Sequence, residues 1–356
     1  SETVAFSLSG STNQRDGYYK NLAGGDALGE LNRWGVRGQL LYVPSEDFEV
    51  RIIADYDDLD EACCGVANLL DGPTGGAIRA IGGNLVSNAP FAYEGYYDFT
   101  PVNQFQTDGV SMEIDYLFND VTFTSISAMR DLTRRDNVDV DFTSAMLLDP
   151  KTANRTDTDI DTLTQEFRFS GGGDQATWMI GAFMFHEDVE QFTGLLYGSQ
   201  FRQYADFLAG DPSTLGLIEG LFGQAPGTFF GAGQGLTELS SMKNRAVSLF
   251  AQTDIELGDS ATLTLGVNYT EDEKKVIFDS TATDVFSGID LNNDLTLLGV
   301  PLPTVLFGQA FEDNTGLPPT PANIAFIESV APGTSAAINA GVADSISTLQ
   351  SFQFQP

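Results

Sequence analysis

Nine stretches of this chain alternate apolar and polar residues with a period of two, and the links between them alternate strictly between short and long. The stretches are 3–10, 33–43, 48–56, 110–117, 121–130, 163–169, 176–186, 246–256 and 262–270. In 48–56, Phe48, Val50, Ile52, Ala54 and Tyr56 stand opposite Glu49, Arg51 and Asp55. In 262–270, Leu263, Leu265, Val267 and Tyr269 stand opposite Thr262, Thr264, Asn268 and Thr270. A strand turns successive side chains to opposite faces, so each stretch predicts a β-strand. The short links are 44–47, 119–120, 170–175 and 257–261. The long ones are 11–32, 57–109, 131–162, 187–245 and everything after 271. Antiparallel neighbours with tight turns at one end and large loops at the other describe an outer-membrane barrel. Structureless links of this size are unusual inside compact soluble domains.

The polar faces carry full charges, among them Arg37, Glu49, Arg51, Glu113, Asp115, Glu166, Arg168 and Asp254. The aromatic residues Trp34, Tyr42, Phe48, Tyr56, Tyr116 and Tyr269 lie near strand ends on the apolar face, where interfacial girdles belong. The expected fold is therefore all-β: an antiparallel transmembrane β-barrel with long extracellular loops. Bacterial barrels close with an even number of strands, so the visible set is a partial barrel of about nine or ten. Residues 1–277 hold the strands and the long loops 57–109, 131–162 and 187–245. Short helices are expected within 192–241, at Tyr204–Leu208 and Thr214–Phe222. Residues 278–356 read as one long acidic extracellular loop or a truncated barrel segment, with helices at Ala322–Val330 and Ser335–Leu349. The chain opens at Ser1 without an initiating Met, as a processed chain or a piece of a longer one would.

Charge and composition exclude several functions. Asp and Glu number 50 against 17 Lys and Arg, a formal charge of −33. Such a surface repels phosphate backbones, so no nucleic-acid partner is expected; it suits cationic ligands or divalent ions. One histidine, His186, and two cysteines, Cys63 and Cys64, are too few for a His/Cys zinc site or an iron–sulfur cluster. No stretch approaches the roughly 18 apolar residues of a membrane-spanning helix. No nucleophile and base are arranged together, and the chain is not expected to be an enzyme.

Several strand pairs resemble the barrel of TonB-dependent outer-membrane receptors. The segment 244–274 carries two strands joined by a short turn and closes on Gly266-Val267-Asn268-Tyr269-Thr270-Glu271-Asp272-Glu273-Lys274. The family's closing pattern is Gly-x-Arg-Tyr-Thr-x-Asp/Glu-x-Lys, and Asn268 departs from it at the Arg position. Gln165–Phe169 followed by Trp178–Phe183, and Trp34–Phe48, are similar to other hairpins of the family. The likeness covers most of residues 30–277. The family's plug domain, its TonB-contacting segment and its closing aromatic strand have no counterpart, so the resemblance implies an internal barrel fragment. It also implies a place in the bacterial outer membrane, against lipid and lipopolysaccharide. Its function there would be to bind a scarce nutrient (siderophore, cobalamin or glycan) and import it with energy from the inner-membrane TonB complex. No cofactor is implied. A passive porin-like channel and a soluble secreted adhesin or glycan-binding module are the alternatives.

Loop 57–109 holds the most distinctive residues. Asp57, Asp58, Asp60 and Glu61 are either a Ca²⁺ site of oxygen ligands or a solvated acidic run. Cys63 and Cys64 either pair as a vicinal disulfide, pair elsewhere, or remain thiols. Tyr93, Tyr96 and Tyr97, with Phe91 and Phe99, either stack on a ligand or form the loop's own small core. Asp157, Asp159 and Asp161 imitate the start of an EF-hand, but Thr162 and Arg168 stand where Gly and Glu are required. Arg33, Arg130, Arg134, Arg135 and Arg245 lie near the long-loop ends of strands. Those on the polar face would look into the lumen, and Arg33, Arg130 and Arg245 are the expected ligand-contacting cations; pairing with loop carboxylates is the alternative.

Overall fold

The computed structural model describes residues 3–152, 155–210, 214–293 and 299–354. Nine strands form one antiparallel sheet in simple sequence order. They are β1 (Val4–Arg15), β2 (Leu31–Ser45), β3 (Phe48–Glu61), β4 (Val102–Phe118), β5 (Val121–Asn137), β6 (Arg155–Gly173), β7 (Ala176–Leu196), β8 (Gly235–Glu256) and β9 (Thr262–Ala282). All nine periodic stretches are strands. The sheet does not close: β1 pairs only with β2, and β9 only with β8. Every strand but β2, which gains only two residues there, runs well beyond its periodic stretch at the loop end. The long loops therefore shrink to 62–101, 138–154 and 197–234. The added lengths lack a regular apolar alternation, as in Asp157-Thr158-Asp159-Ile160-Asp161 of β6, so hydrophobic alternation does not reveal them.

The apolar face forms a slanted band. Level with Phe48 run Tyr116, Phe123, Phe169, Ile180, Ala251 and Val267, one from each of the next six strands. The upper limit of the band descends across the sheet. It passes through Trp34, Tyr56, Val110, Met129, Leu163, Met184, Val247 and Tyr269. Trp34 is level with Asp58, and Tyr269 is level, strand by strand, with Val50. The limit thus drops eight residues over seven strand-to-strand steps. At about 3.3 Å per residue and about 4.8 Å between strands, that is a tilt of about 40°. A band that is horizontal in a bilayer requires this slope when the strands are tilted as in membrane barrels. Above the band, Asp108, Asp131, Asp161 and Asp188 stand directly opposite one another on four successive strands. Like charges so opposed repel, and they need water around them, not hydrocarbon.

Six helices lie at the loop end: α1 (Pro73–Ala80), α2 (Phe201–Leu208), α3 (Thr214–Leu221), α4 (Leu302–Thr315), α5 (Pro321–Val330) and α6 (Thr334–Gln350). The expected helices in 192–241 and after 320 are there; α1 and α4 are additions. Local signals start and stop them. Thr320 caps α5 by accepting a hydrogen bond from the Asn323 N–H, with Pro321 in the first turn. Gly316, in the left-handed region, ends α4. The helices are not a loose loop. Tyr197, Phe229, Phe230, Phe286, Phe311 and Ile346 share one buried core, which joins segment 197–234 to segment 283–354. Among the described residues no helix is long and apolar enough to cross a membrane, which says nothing of the strands.

Candidate functional site

The charged face of the sheet carries a track of cross-strand ion pairs near the loop end. Arg33 on β2 clasps Glu61 on β3 through two contacts of 2.5 and 3.1 Å. Arg130 on β5 reaches over β4 to Asp55 on β3, at 2.9 and 2.7 Å, and donates to the Thr107 hydroxyl at 3.1 Å on the way. Arg37 approaches the same Asp55 at 4.0 Å, and within β5 Arg134 pairs with Asp136 at 2.5 Å. Glycines make room for these spans. A Cβ on Gly109 would lie 2.8 Å from Arg130 Nη2, and one on Gly35 would collide with the Asp57 carboxylate. Further round, the ring of Phe250 lies over Gly181. A Gly109→Val substitution is expected to leave the fold intact, with stability changed by under about 1 kcal/mol because the pair is half-exposed. It should displace the Arg130 guanidinium from Asp55, read as a shift of the Arg130 Nε–H resonance. An unshifted resonance would show that the glycine is not what lets this span form.

A second cluster ties the loops together. Tyr19, Leu28, Ala62 and Tyr97 form a small core against Phe142. The Tyr97 hydroxyl accepts from the Val66 N–H at 2.8 Å and donates to its carbonyl at 3.2 Å. Asn21 both donates to and accepts from the Tyr97 backbone. Beside this core, three carboxylates meet. Asp139 is buried; one oxygen accepts from the Asp141 and Phe142 N–H groups, the other from the Asp98 N–H. Both oxygens of Asp98 are shut off from solvent. Burial, then the charges of Asp139 and Asp141, push the Asp98 carboxyl well above the usual range. Burial raises Asp139 too, and burial with Asp139 beside it pushes Asp141 up to about 7.

A carboxyl raised on folding binds protons more tightly in the folded state. Its contribution to stability is present below the unfolded pKa and lost as pH rises through the folded one. Between pH 5 and 9 the junction of loops 62–101 and 138–154 should therefore loosen as pH rises through about 7. Amide-exchange protection factors at Tyr97 and Phe142 are the readout, and equal protection at both ends of that range would contradict it.

The residues singled out in the sequence fall into four groups: arginines, a run of carboxylates, two cysteines and three tyrosines. Arg33 and Arg130 stand on the charged face as expected, both engaged by carboxylates. Arg245 does not: it faces His186 and Glu273 on the banded side, in step with Val247 and Leu249. Arg135 shares that side and pairs with Asp159 at 3.1 Å. Asp57, Asp58, Asp60 and Glu61 lie in β3 itself, not in a loop, so their side chains alternate between faces. Glu61 is held by Arg33, Asp58 accepts from Gln106 at 2.8 Å, and Asp60 from Gln104 at 3.2 Å. The four do not converge on one ion. No group of three His, Cys, Asp or Glu placed to hold a metal occurs among the described residues. Cys63 and Cys64 are bonded to each other just beyond β3. Of the tyrosines, Tyr97 belongs to the loop core and is not open for stacking, whereas Tyr93 is exposed and meets Tyr18 edge-on. Tyr96 is half-buried beside them. Asp98, Asp139 and Asp141 carried no sequence signal, because only the fold brings two loops to one point.

No family model matches the chain, and no curated protein sequence does. Solved structures do. The ferric yersiniabactin uptake receptor FyuA from Yersinia pestis superposes with a TM-score of 0.54 at 14% identity, over 79% of this chain and 36% of FyuA. The chain has the fold of a TonB-dependent receptor barrel. The ferric preacinetobactin receptor BauA from Acinetobacter baumannii aligns over 78% of this chain and 39% of its own, at 12% identity and a TM-score of 0.43. The ferric-catecholate import receptor Fiu from E. coli K12 aligns over 79% and 48%, at 8% identity and 0.41. These looser overlaps add nothing to the fold argument. The chain spans about a third of the length of FyuA. In the receptor-barrel frame, the banded face is the outer wall and the arginine–carboxylate track faces the lumen.

Proposed function

We propose that this chain forms a section of the wall of an outer-membrane receptor that captures a scarce nutrient at its extracellular loops and imports it with TonB-derived energy. The observation that carries the reading is the two-faced sheet. A slanted apolar band fits tilted strands in a bilayer, and a charged track lines the opposite face. An open sheet edge in hydrocarbon leaves unpaired backbone groups at several kcal/mol each, so further strands complete the ring in the membrane. FyuA, BauA and Fiu are named as receptors for iron complexes, which makes a ferric chelate the first cargo to try; cobalamin and glycans follow. The test is uptake of labelled cargo by cells carrying the native protein, with and without an energised inner membrane. Uptake that stops when energy is withdrawn supports the reading. Uptake that persists points to a passive channel, and protein that stays soluble without detergent points to a secreted module.

A further inference from the structure

A cavity of about 380 Å³ opens between loops 62–101 and 138–154 and helix α2. That size is typical of small-molecule sites. Its walls mix polar and apolar surface in about equal parts, with Leu70, Ile78 and Leu147 beside the rings of Phe142 and Tyr204. Phe142 sits at a φ of +53°, a conformation that costs free energy for a side chain of this kind. The buried Asp139 carboxylate, accepting the Phe142 N–H at 3.1 Å, keeps it there, so this wall is built and not a chance gap. No Lys or Arg lines the cavity. Asp71 does, but Arg79 neutralises it, with Arg79 and Ser87 on Oδ2 and no partner on its buried Oδ1. Asp141 makes no ion pair among the described residues. Thr143 takes its Oδ1 through the backbone N–H at 3.0 Å and the hydroxyl at 2.7 Å. Its Oδ2 accepts no hydrogen bond among the described residues.

We infer that this cavity binds a small amphipathic ammonium compound, its charged head on Asp141 and its apolar body against Phe142, Tyr204 and Leu147. At pH 8, above the value of about 7 to which burial raises it, Asp141 is ionised. An ionised carboxylate only accepts hydrogen bonds, so its partner must donate. A cation satisfies it best, since charge-assisted bonds are the strong ones. Aromatic faces at the same site favour a cation a second time. The chain's charge of −33 concentrates cations at its surface and repels anions. The inference goes beyond the uptake reading and does not depend on it, because it holds whether or not the bound compound is cargo.

Calorimetric titration of the full chain in detergent micelles tests it, with 2-phenylethylammonium, 2-phenylethanol and phenylacetate as probes of one shape and three charges. The ammonium should bind about tenfold tighter than the alcohol, and phenylacetate should not bind measurably. Asp141→Asn should erase the gap between ammonium and alcohol while leaving the alcohol within about twofold of the native value. Loss of both probes would mean a collapsed loop, and Leu70→Lys then decides. Leu70 is exposed at the rim, and a lysine there should weaken the ammonium about tenfold without touching the fold. Equal binding of all three probes overturns the inference. So does ammonium binding that neither substitution changes. Either failure leaves the uptake reading intact, since the energised-uptake assay uses none of these probes.

Discussion

Replacing Arg202 with Met should unfold the helical cap while the β-wall stays intact. Arg202 on α2 pairs with Glu219 on α3 through two contacts and also donates to the Phe229 carbonyl at 3.1 Å. Glu219 is wholly buried, and it accepts from the backbone N–H groups of Gly227 and Phe229 at 2.7 and 2.6 Å. Arg202 holds Asp206 one turn on, at 3.0 Å. One ion pair therefore fastens two short helices and the turn that delivers Phe229 and Phe230 to the cap's core. Removing one partner of a buried pair strands the other charge and costs about 3–5 kcal/mol. The apolar core of a cap this small has little reserve against such a loss. Amide exchange in 197–234 should become fast, and a protease should cut there, while exchange in β5–β8 stays slow. Protection in 197–234 equal to the native protein would mean the pair is dispensable. Acid should act the same way. Burial alone would raise the Glu219 carboxyl, but Arg202 and the two N–H groups outweigh it and hold the carboxyl below its ordinary value. A depressed carboxyl contributes stability above its unfolded pKa and loses it as pH falls through the folded one, so the cap should weaken below about pH 4.

The second large effect belongs to the wall. Phe167 sits within the band on β6, four residues from Leu163 and two from Phe169, and stacks on Phe123. Phe167→Arg places a charge near the bilayer midplane, at a cost of about 2–4 kcal/mol. Thr164, three residues away, points to the charged face; Thr164→Arg should stay within about 0.5 kcal/mol of native. Urea titration of the protein in lipid vesicles separates the two, and heat-modifiable migration on gels gives a quicker readout. Equal effects would mean that the two faces are not what they are taken to be, and the membrane reading would fall with them.

Much of this architecture is legible from sequence because a strand in a bilayer writes its burial as parity. Val50, Ile52 and Ala54 announce β3, and the tight links announce the hairpins. The same parity puts Arg245 with Val247 and Leu249, so its place outside the lumen was readable from strand phase rather than from nearness to a loop. Above the apolar band the signal ends: Asp157 to Asp161 look like loop because the apolar alternation stops there. The loop chemistry was hidden for another reason. Asp98 meets Asp139 across 41 residues, and Arg202 meets Glu219 across 17. Such partnerships depend on how loops pack, which no local pattern encodes. Tyr97 was visible as an aromatic, but only packing decides between a ligand platform and a core.

The glycines of the charged face bear on something else, the width left inside the barrel proposed above. An arginine or phenylalanine that stands upright from the wall narrows a passage by most of its own length. Over Gly35, Gly109 and Gly181 the side chains of Asp57, Arg130 and Phe250 lie down along the wall instead. The wall keeps its charge and its aromatic surface while giving up little width. In the closed barrel proposed above, enlarging any of these three residues would stand a side chain up from the wall, so they would set how much of the width stays clear.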